Sequence, residues 1–336
     1  MAGAETVRNL FVTLADRNFL DQAKQLFSSV YWNAGWRGDY MLLAHEVPAH
    51  ELQWFREKGI LTREATPLFT TAFKSDRLVY PVTITSKLHV FSMDFKKWDS
   101  VIFVDADCIV RYPLDALTRT KRFSAARDWL RSASLEFQTH RPADMTDSEY
   151  LEKFSGYNLL ATVFNTGLFA FNTSILDESV FPGLEGICRK YHNLGRYPEQ
   201  LWMNLYFYKR WRELPLEYNL FASYLQKKRN MAKDDIDGVV LHFPRCEDER
   251  GLRCWDKDNE FYEEWKGNLD RAELIDLKNI PKPNRRWPGA RHLLSGIWKL
   301  RMALRKDYVS FYKNKLRLRT RLRGALAARG RVFHPV

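Results

Sequence analysis

Asp99-Ser-Val-Ile-Phe-Val-Asp-Ala-Asp-Cys-Ile-Val-Arg-Tyr112 is the stretch on which the reading of this chain turns. Val101, Ile102, Phe103 and Val104 make a short unbroken apolar run, the pattern of a strand covered on both faces. Asp105 and Asp107 follow at once, separated only by Ala106. In open α/β sheets, ligands bind beyond the carboxyl ends of the strands. Two carboxylates one residue apart there can turn toward a single hard cation, which takes oxygen ligands and bridges to phosphate. An isolated D-x-D triplet is more often a solvated acidic loop, so the choice rests on the company these acids keep.

Upstream, Asn9-Leu-Phe-Val-Thr-Leu14 is a second apolar strand candidate, followed by the polar turn Ala15-Asp16-Arg17-Asn18. Phe19, Leu20, Ala23, Leu26, Phe27 and Val30 then recur at three and four, which predicts a helix. Asp39 to Ala44 reads as a strand, Pro48 to Lys58 as a helix ending at Gly59, and Thr83 to Trp98 as another helix. Strands alternating with helices predict a parallel α/β sheet. Downstream, Phe123 to Asp128 reads as a short strand with an acid at its end, and residues 129–160 as an irregular surface insertion or flap. Val163 to Asn172 is strand-like but broken by Asn165-Thr-Gly167, and glycine inside a strand marks a bulge or a close ligand. Leu176 to His192 and Pro198 to Trp211 read as helices, and Gly238 to Phe243 as a strand with His242 near its end. Pro281, Pro283 and Pro288 mark a linker, dividing a domain of residues 1–280 from a tail of residues 281–336.

A chain of 336 residues with 45% hydrophobic and 28% charged residues is an ordinary globular composition, long enough for one large core or two modest ones. The net charge of +12 is uneven. Residues 285–336 hold 15 Lys or Arg against the single acid Asp307, so the tail carries +14 and residues 1–284 carry −2. Nucleic-acid binding therefore has only the tail to stand on. Cys108, Cys188, Cys246 and Cys254 show neither C-x-x-C nor zinc spacing, which suits a reduced intracellular protein. Met1 to Arg8 lacks a signal-peptide core, and no window is apolar enough to span a membrane. The expectation is a cytoplasmic protein. In the tail, Leu293, Ile297, Leu300, Leu304, Tyr308 and Phe311 form one apolar stripe with basic residues largely off it, and Trp298 is available for an interface. Such a helix can lie on an anionic membrane, placing the protein peripherally at the inner face, or it can dock on its own domain.

Taken in order, Phe11-Val-Thr-Leu-Ala-Asp16, Lys87, Asp105-Ala-Asp107, Ala125-Ala-Arg-Asp128, Asn165-Thr-Gly167, Glu199-Gln200 with Asn204, and His242-Phe243 resemble the family 8 retaining glycosyltransferases. The resemblance covers about residues 8–256. It implies a GT-A type fold with a mostly parallel central sheet, a UDP-sugar donor and Mn²⁺, with Mg²⁺ as substitute. Leu14, Ala15, Asp16 and Asn18 would line the nucleoside site, with Ala106 beside the donor. Asp105, Asp107 and His242 would hold the metal, and neutral imidazole with carboxylates suits Mn²⁺. Lys87 would face the donor, a role no better supported than that of a solvated helix lysine. Asp128 would bind sugar hydroxyls, or else cap a strand end. Asn165, Thr166 and Gly167 would lie against the donor sugar. Gln200 would stabilise an oxocarbenium-like state during front-face displacement, with Glu199 as the alternative base. The family's segment H-F-x-G-x-x-K-P-W is replaced here by a longer stretch ending in Arg253-Cys-Trp255. Arg253 can still grip a diphosphate, as could Arg245 or Arg250. Leu201 is apolar where some relatives carry an acid. The expected acceptor is a saccharide or lipid-linked glycan, of the kind built into lipopolysaccharide, and no nucleic acid is expected. The alternatives are a sugar nucleotidyltransferase, for which the usual Gly-rich loop after Leu14 is missing, and a nucleic-acid-binding protein using its tail.

Overall fold

The computed structural model describes residues 7–70, 73–74, 79–132, 144–158, 161–192, 194, 197–244 and 253–283. Its strands are β1 (Asn9–Asp16), β2 (Asp39–His45), β3 (Leu61–Glu64), β4 (Phe73–Lys74), β5 (Val79–Tyr80), β6 (Ser100–Val104), β7 (Cys108–Val110), β8 (Ser124–Ser132), β9 (Thr162–Asn172), β10 (Arg212–Leu214), β11 (Leu220–Phe221) and β12 (Val240–His242). Seven of them form one sheet in the order β10-β8-β9-β6-β1-β2-β3. Every neighbouring pair is parallel except the two made by β9. The expected mixed α/β sheet, mostly parallel, is therefore present.

The reversal of β9 matters for the site. Because it runs against its neighbours, its start lies at the edge where β1 and β6 finish. Val104 pairs with Leu168, and one step on the Asp105 N–H donates to the Gly167 carbonyl at 2.8 Å. The strand is continuous from Thr162 to Asn172 and not broken at Asn165-Thr-Gly167 as its sequence suggested. The irregularity lies in the pairing instead. Between the partners Ala125↔Phe169 and Arg127↔Phe164, Ala126 alone stands opposite residues 165–168. That is a bulge, which re-aims side chains and frees backbone groups.

Side chains along β6 alternate between two cores, as the period of two requires. Val101 and Phe103 join Phe91, Phe169 and Phe171, while Ile102 and Val104 join Leu26 and Phe27 of helix α1 (Leu20–Ser29). Aromatic stacking fills the first layer, with Phe103 and Phe169 at 4.9 Å and Phe123 and Phe207 at 4.1 Å between ring centres. Burying such a ring contributes about 1.5–3 kcal/mol. A smaller sheet, β11-β12-β7, has its own core of Ile109, Leu241, Phe243 and Trp265. Arg111, just after β7, braces this small core from within: it donates to Glu264 from Nε at 2.7 Å and Nη2 at 2.5 Å and to the Ile236 carbonyl at 2.8 Å.

Several local expectations need correction. The helix anticipated over residues 83–98 is two 3₁₀ segments, Val82–Phe91 and Met93–Lys97. The β-branched run Val82-Thr-Ile-Thr85 crowds an α-helix, and the Thr85 hydroxyl bonds the Val82 carbonyl at 2.8 Å, competing with the ladder. The helix anticipated over 48–58 shrinks to α2 (Gln53–Glu57), since Pro48 to Leu52 is spent on turns. The stretch 129–160 is not wholly irregular. It continues β8 to Ser132 and contains α3 (Asp147–Lys153), opened by a Thr146–Glu149 capping box that packs Tyr150 and Phe154 into the core. The first two helices after β9 are α4 (Val180–Lys190) and α5 (Pro198–Tyr206), and Ala222–Arg229 and Tyr262–Arg271 follow.

After α1 the chain makes a π-turn, Val30–Ala34, that ends at Gly35 with φ +59°. A Cβ at Gly35 would meet Pro283 Cδ at 2.8 Å and the Pro281 carbonyl at 2.9 Å, so the start of the anticipated linker packs on this domain. The remainder of the tail, with its apolar stripe, lies outside the described residues. Among the described residues no helix is long and apolar enough to cross a membrane.

Candidate active site

At the finishing edge of the sheet, Leu14 and Ala15 close β1, and Asp16 caps the following turn by accepting from the Asn18 N–H at 2.9 Å. The neighbouring strand ends in the two acids. Asp105 is bound by the ammonium of Lys87, 2.8 Å from Oδ1 and 3.1 Å from Oδ2. Lys87 is buried, so it is no solvated helix lysine; it also donates to the Thr166 carbonyl at 3.3 Å and lies 4.0 Å from Glu199. Burial works against its charge, but Asp105 and Glu199 outweigh that and hold its pKa above the usual lysine value. Burial pushes the Glu199 carboxyl up, Lys87 opposing. The Glu199 Oε2 atom is buried with no hydrogen-bond partner.

Asp107 has a different environment. β12 pairs antiparallel with β7, His242 opposite Cys108, and the Phe243 N–H donates to the Asp107 carbonyl at 3.0 Å. This register brings His242 Nε2 within 3.3 Å of Asp107 Oδ1. The contact lacks hydrogen-bond geometry, and Oδ1 is left buried without a partner. Arg253 reaches the other oxygen at 3.3 Å. Burial raises the Asp107 pKa, but His242, Arg253 and Lys87 pull harder and the carboxyl stays below its usual range. An ionised oxygen with nothing bonded to it, facing an imidazole nitrogen, fits a cation between them. The ligand atoms of Asp107, Cys108 and His242 all lie within 4.8 Å of one another. Cys108 was not anticipated there, and Asp105 is turned to Lys87 instead.

A chain of amides lies behind these ligands. Asn165 Oδ1 accepts from the Gly167 N–H and from Asn219 Nδ2, each at 2.8 Å. Asn165 Nδ2 donates to Gln200 Oε1 at 2.9 Å, and the Thr166 N–H points to the same oxygen at 3.4 Å. Gln200 Nε2 donates to Asp128 Oδ2 at 3.3 Å. Asn204, on the next turn of α5, pairs both ways with the Phe164 backbone at 2.9 Å and so fixes the bulge to that helix. Gly167 lies tight against the His242 ring: a Cβ there would be 2.2 Å from Cε1. Of the residues expected in one site, Lys87, Asp105, Asp107, Asp128, Asn165, Thr166, Gly167, Glu199, Gln200, His242 and Arg253 are joined by these contacts, while Leu14, Ala15, Asp16 and Asn18 stand at the end of the neighbouring β1. Asn219, like Cys108, was not anticipated at the site, since an Asn closing the turn Leu214-Pro-Leu-Glu-Tyr218 reads only as a turn residue. Arg245 and Arg250 lie outside the described residues.

The model of the family described as "Glycosyl transferase family 8" matches residues 11–247. The chain belongs to glycosyltransferase family 8. Galactinol synthase 4 of Arabidopsis thaliana is 27% identical over 242 residues, which are 68% of this chain and 66% of that one. Among solved structures, the galactosyltransferase LgtC in complex with donor and acceptor sugar analogs superposes with a TM-score of 0.55 at 16% identity, over 81% of this chain and 98% of that one. The bifunctional glycosyltransferase WbbM gives 0.57 at 17% identity, over 82% of this chain and 53% of that one. This chain shares their GT-A type fold and spans little more than half of WbbM.

Proposed function

We propose that this family 8 member is a metal-dependent retaining hexosyltransferase that uses a UDP-sugar. The observation that carries the metal is the unpartnered Asp107 Oδ1 facing His242 Nε2. On this reading Asp105, Asp107 and His242 hold Mn²⁺ or Mg²⁺. When bound, the ion neutralises charge on the diphosphate and on the departing UDP.

The protein's own groups then have distinct tasks. Leu14, Ala15, Asp16 and Asn18 form the floor for the nucleoside, with Ala106 small enough to admit the diphosphate. Burial raises the Asp105 pKa, and Lys87 opposes that shift while setting a fixed positive charge at the donor. Arg253 passes from Asp107 to the diphosphate. Asp128 and the bulged Asn165, Thr166 and Gly167 hold the sugar. Gln200, bonded on both sides, cannot rotate, so its amide dipole is preorganised for positive charge developing at the anomeric carbon. In front-face displacement the bond from anomeric carbon to phosphate oxygen breaks and the acceptor oxygen bonds on the same face. The acceptor proton leaves with the departing phosphate. Glu199, with its raised pKa, is the alternative base. The acceptor is proposed to be a saccharide or lipid-linked glycan of lipopolysaccharide type, with the basic tail touching an anionic membrane from the cytoplasmic side.

Thermal unfolding with Mn²⁺ and UDP tests the core of this reading. A ligand at 100 times its Kd stabilises by about 2.7 kcal/mol, and Asp107→Asn should abolish most of that gain and nearly all turnover while remaining folded. Equal UDP stabilisation with and without metal would refute the assignment. The anomeric proton of the fresh product should report the α configuration of the donor; a β product rejects retention. Truncation after Pro283, which leaves the contact with Gly35 in place, should remove binding to anionic liposomes and spare UDP-sugar hydrolysis.

A further inference from the structure

We infer that Asn219 is a positioning residue for the metal site: by accepting the His242 Nδ1 proton, it fixes the imidazole tautomer and leaves Nε2 as the electron-pair donor facing Asp107. The inference rests on the metal reading above and goes beyond it to a residue with no role assigned so far.

Proton positions along the amide chain follow from one backbone group. The Gly167 N–H can only donate, so the Asn165 atom it meets at 2.8 Å is the carbonyl oxygen. Asn219 reaches that same oxygen at 2.8 Å and must therefore present its NH₂. Its other atom, the carbonyl oxygen, is then the one 2.8 Å from His242 Nδ1. An acceptor at that distance requires Nδ1 to carry a proton. In the neutral ring, Nε2 consequently has the lone pair, and metal-bound histidines depend on such outer partners for tautomer and orientation.

The surroundings leave the ring no other pose. Asn219 is 1% exposed and precedes β11, where Phe221 pairs with His242. The Phe221 ring meets the imidazole edge-on at 5.3 Å. Gly167 lies against Cε1 and Nδ1, where even a methyl group would overlap the ring. A flipped imidazole would put Cδ2 in place of Nδ1 beside the Asn219 oxygen, and the other tautomer would set a lone pair against that oxygen.

The test uses full-length protein labelled with ¹⁵N-histidine. Two-bond ¹H–¹⁵N correlations on metal-free protein, at a pH where the ring is neutral, read the tautomer, and His242→Gln identifies the signal. Free Mn²⁺ measured by electron paramagnetic resonance gives the affinity without activity. The wild type should show Nδ1–H. Asn219→Asp keeps an acceptor and should keep both the tautomer and most of the affinity. Asn219→Ala should lose the fixed tautomer and bind Mn²⁺ about 10–100-fold more weakly. A purely structural Asn219 would lower the melting temperature in Asn219→Ala without changing Mn²⁺ affinity, and that result overturns the inference. If Asn219→Ala does not fold, the wild-type spectrum decides, and Nε2–H there refutes the inference. Nδ1–H in a wild type that ignores Mn²⁺ instead refutes the metal reading, so the two failures are distinguishable.

Discussion

Gly167 is the residue whose replacement should be felt most sharply. A Cβ 2.2 Å from His242 Cε1 and 2.9 Å from Asn165 Oδ1 has no flexible neighbour to displace. Gly167→Ala should cost about 1–3 kcal/mol by overpacking, and also erase the Mn²⁺-dependent rise in melting temperature by shifting the ring. Gln200→Ala makes a contrasting case. It leaves the Asn165 amide, the Thr166 N–H and Asp128 each short of a bond, and an unsatisfied buried group costs about 1–3 kcal/mol. UDP binding should persist while kcat falls, because the assigned role belongs to the transition state. Weaker UDP binding with unchanged kcat would assign Gln200 to the ground state. Whereas Asp105 lies against Lys87, the closeness of Asp107 and His242 was legible at this scale because few residue types suit a hard cation. Asn219 was not, because its importance lies in which atom of an amide faces which neighbour, and that is set by a glycine N–H distant in sequence.

Elements were legible where hydrophobic period alone decided them. β1, β2 and β6 appear close to where their apolar runs placed them, and so does α1. Misreadings fell where a second force competed. β-branched crowding turned residues 82–97 into 3₁₀ segments, and a capping box hidden in a polar stretch nucleated α3. The bulge on β9 was half visible: glycine flagged it, but its direction depends on the antiparallel pairing with β6 and β8. The bond from the end of β7 to the helix packed on the small sheet gives an element-scale prediction. Arg111 has a side chain 12% exposed and Glu264 one of 22%, so their bidentate bond is only partly screened. Burial lowers the Arg111 pKa but Glu264 raises it further, and the guanidinium stays charged. Arg111→Met should lower the unfolding free energy by about 2–3 kcal/mol, near the top of the range for hydrogen bonds between charged groups. Urea midpoints would show it. A loss below about 0.5 kcal/mol, the scale of exposed pairs, would mean that the bond is effectively solvated.

On the scale of the molecule, the α/β class could be read from the chain, as could the order of the candidate residues from Leu14 to Arg253. The two-sheet arrangement could not, because β7 and β12 are only three residues each and find one another across a long stretch of sequence. That pairing has a kinetic side. Asp107 and His242 meet only after β12 has closed on β7, with Phe243 bonded to the Asp107 carbonyl. Closing so long a loop is slow and entropically costly, so the ion's seat should be absent from the rate-limiting barrier and complete only on its native side. Mn²⁺ with UDP should then slow unfolding in a stopped-flow urea jump, in proportion to the equilibrium gain, and leave the refolding rate unchanged. Faster refolding with metal would place the β7–β12 pairing before the barrier. On the expected outcome the ion acts as a latch on the finished protein: it lengthens the lifetime of the folded state without helping the chain to reach it.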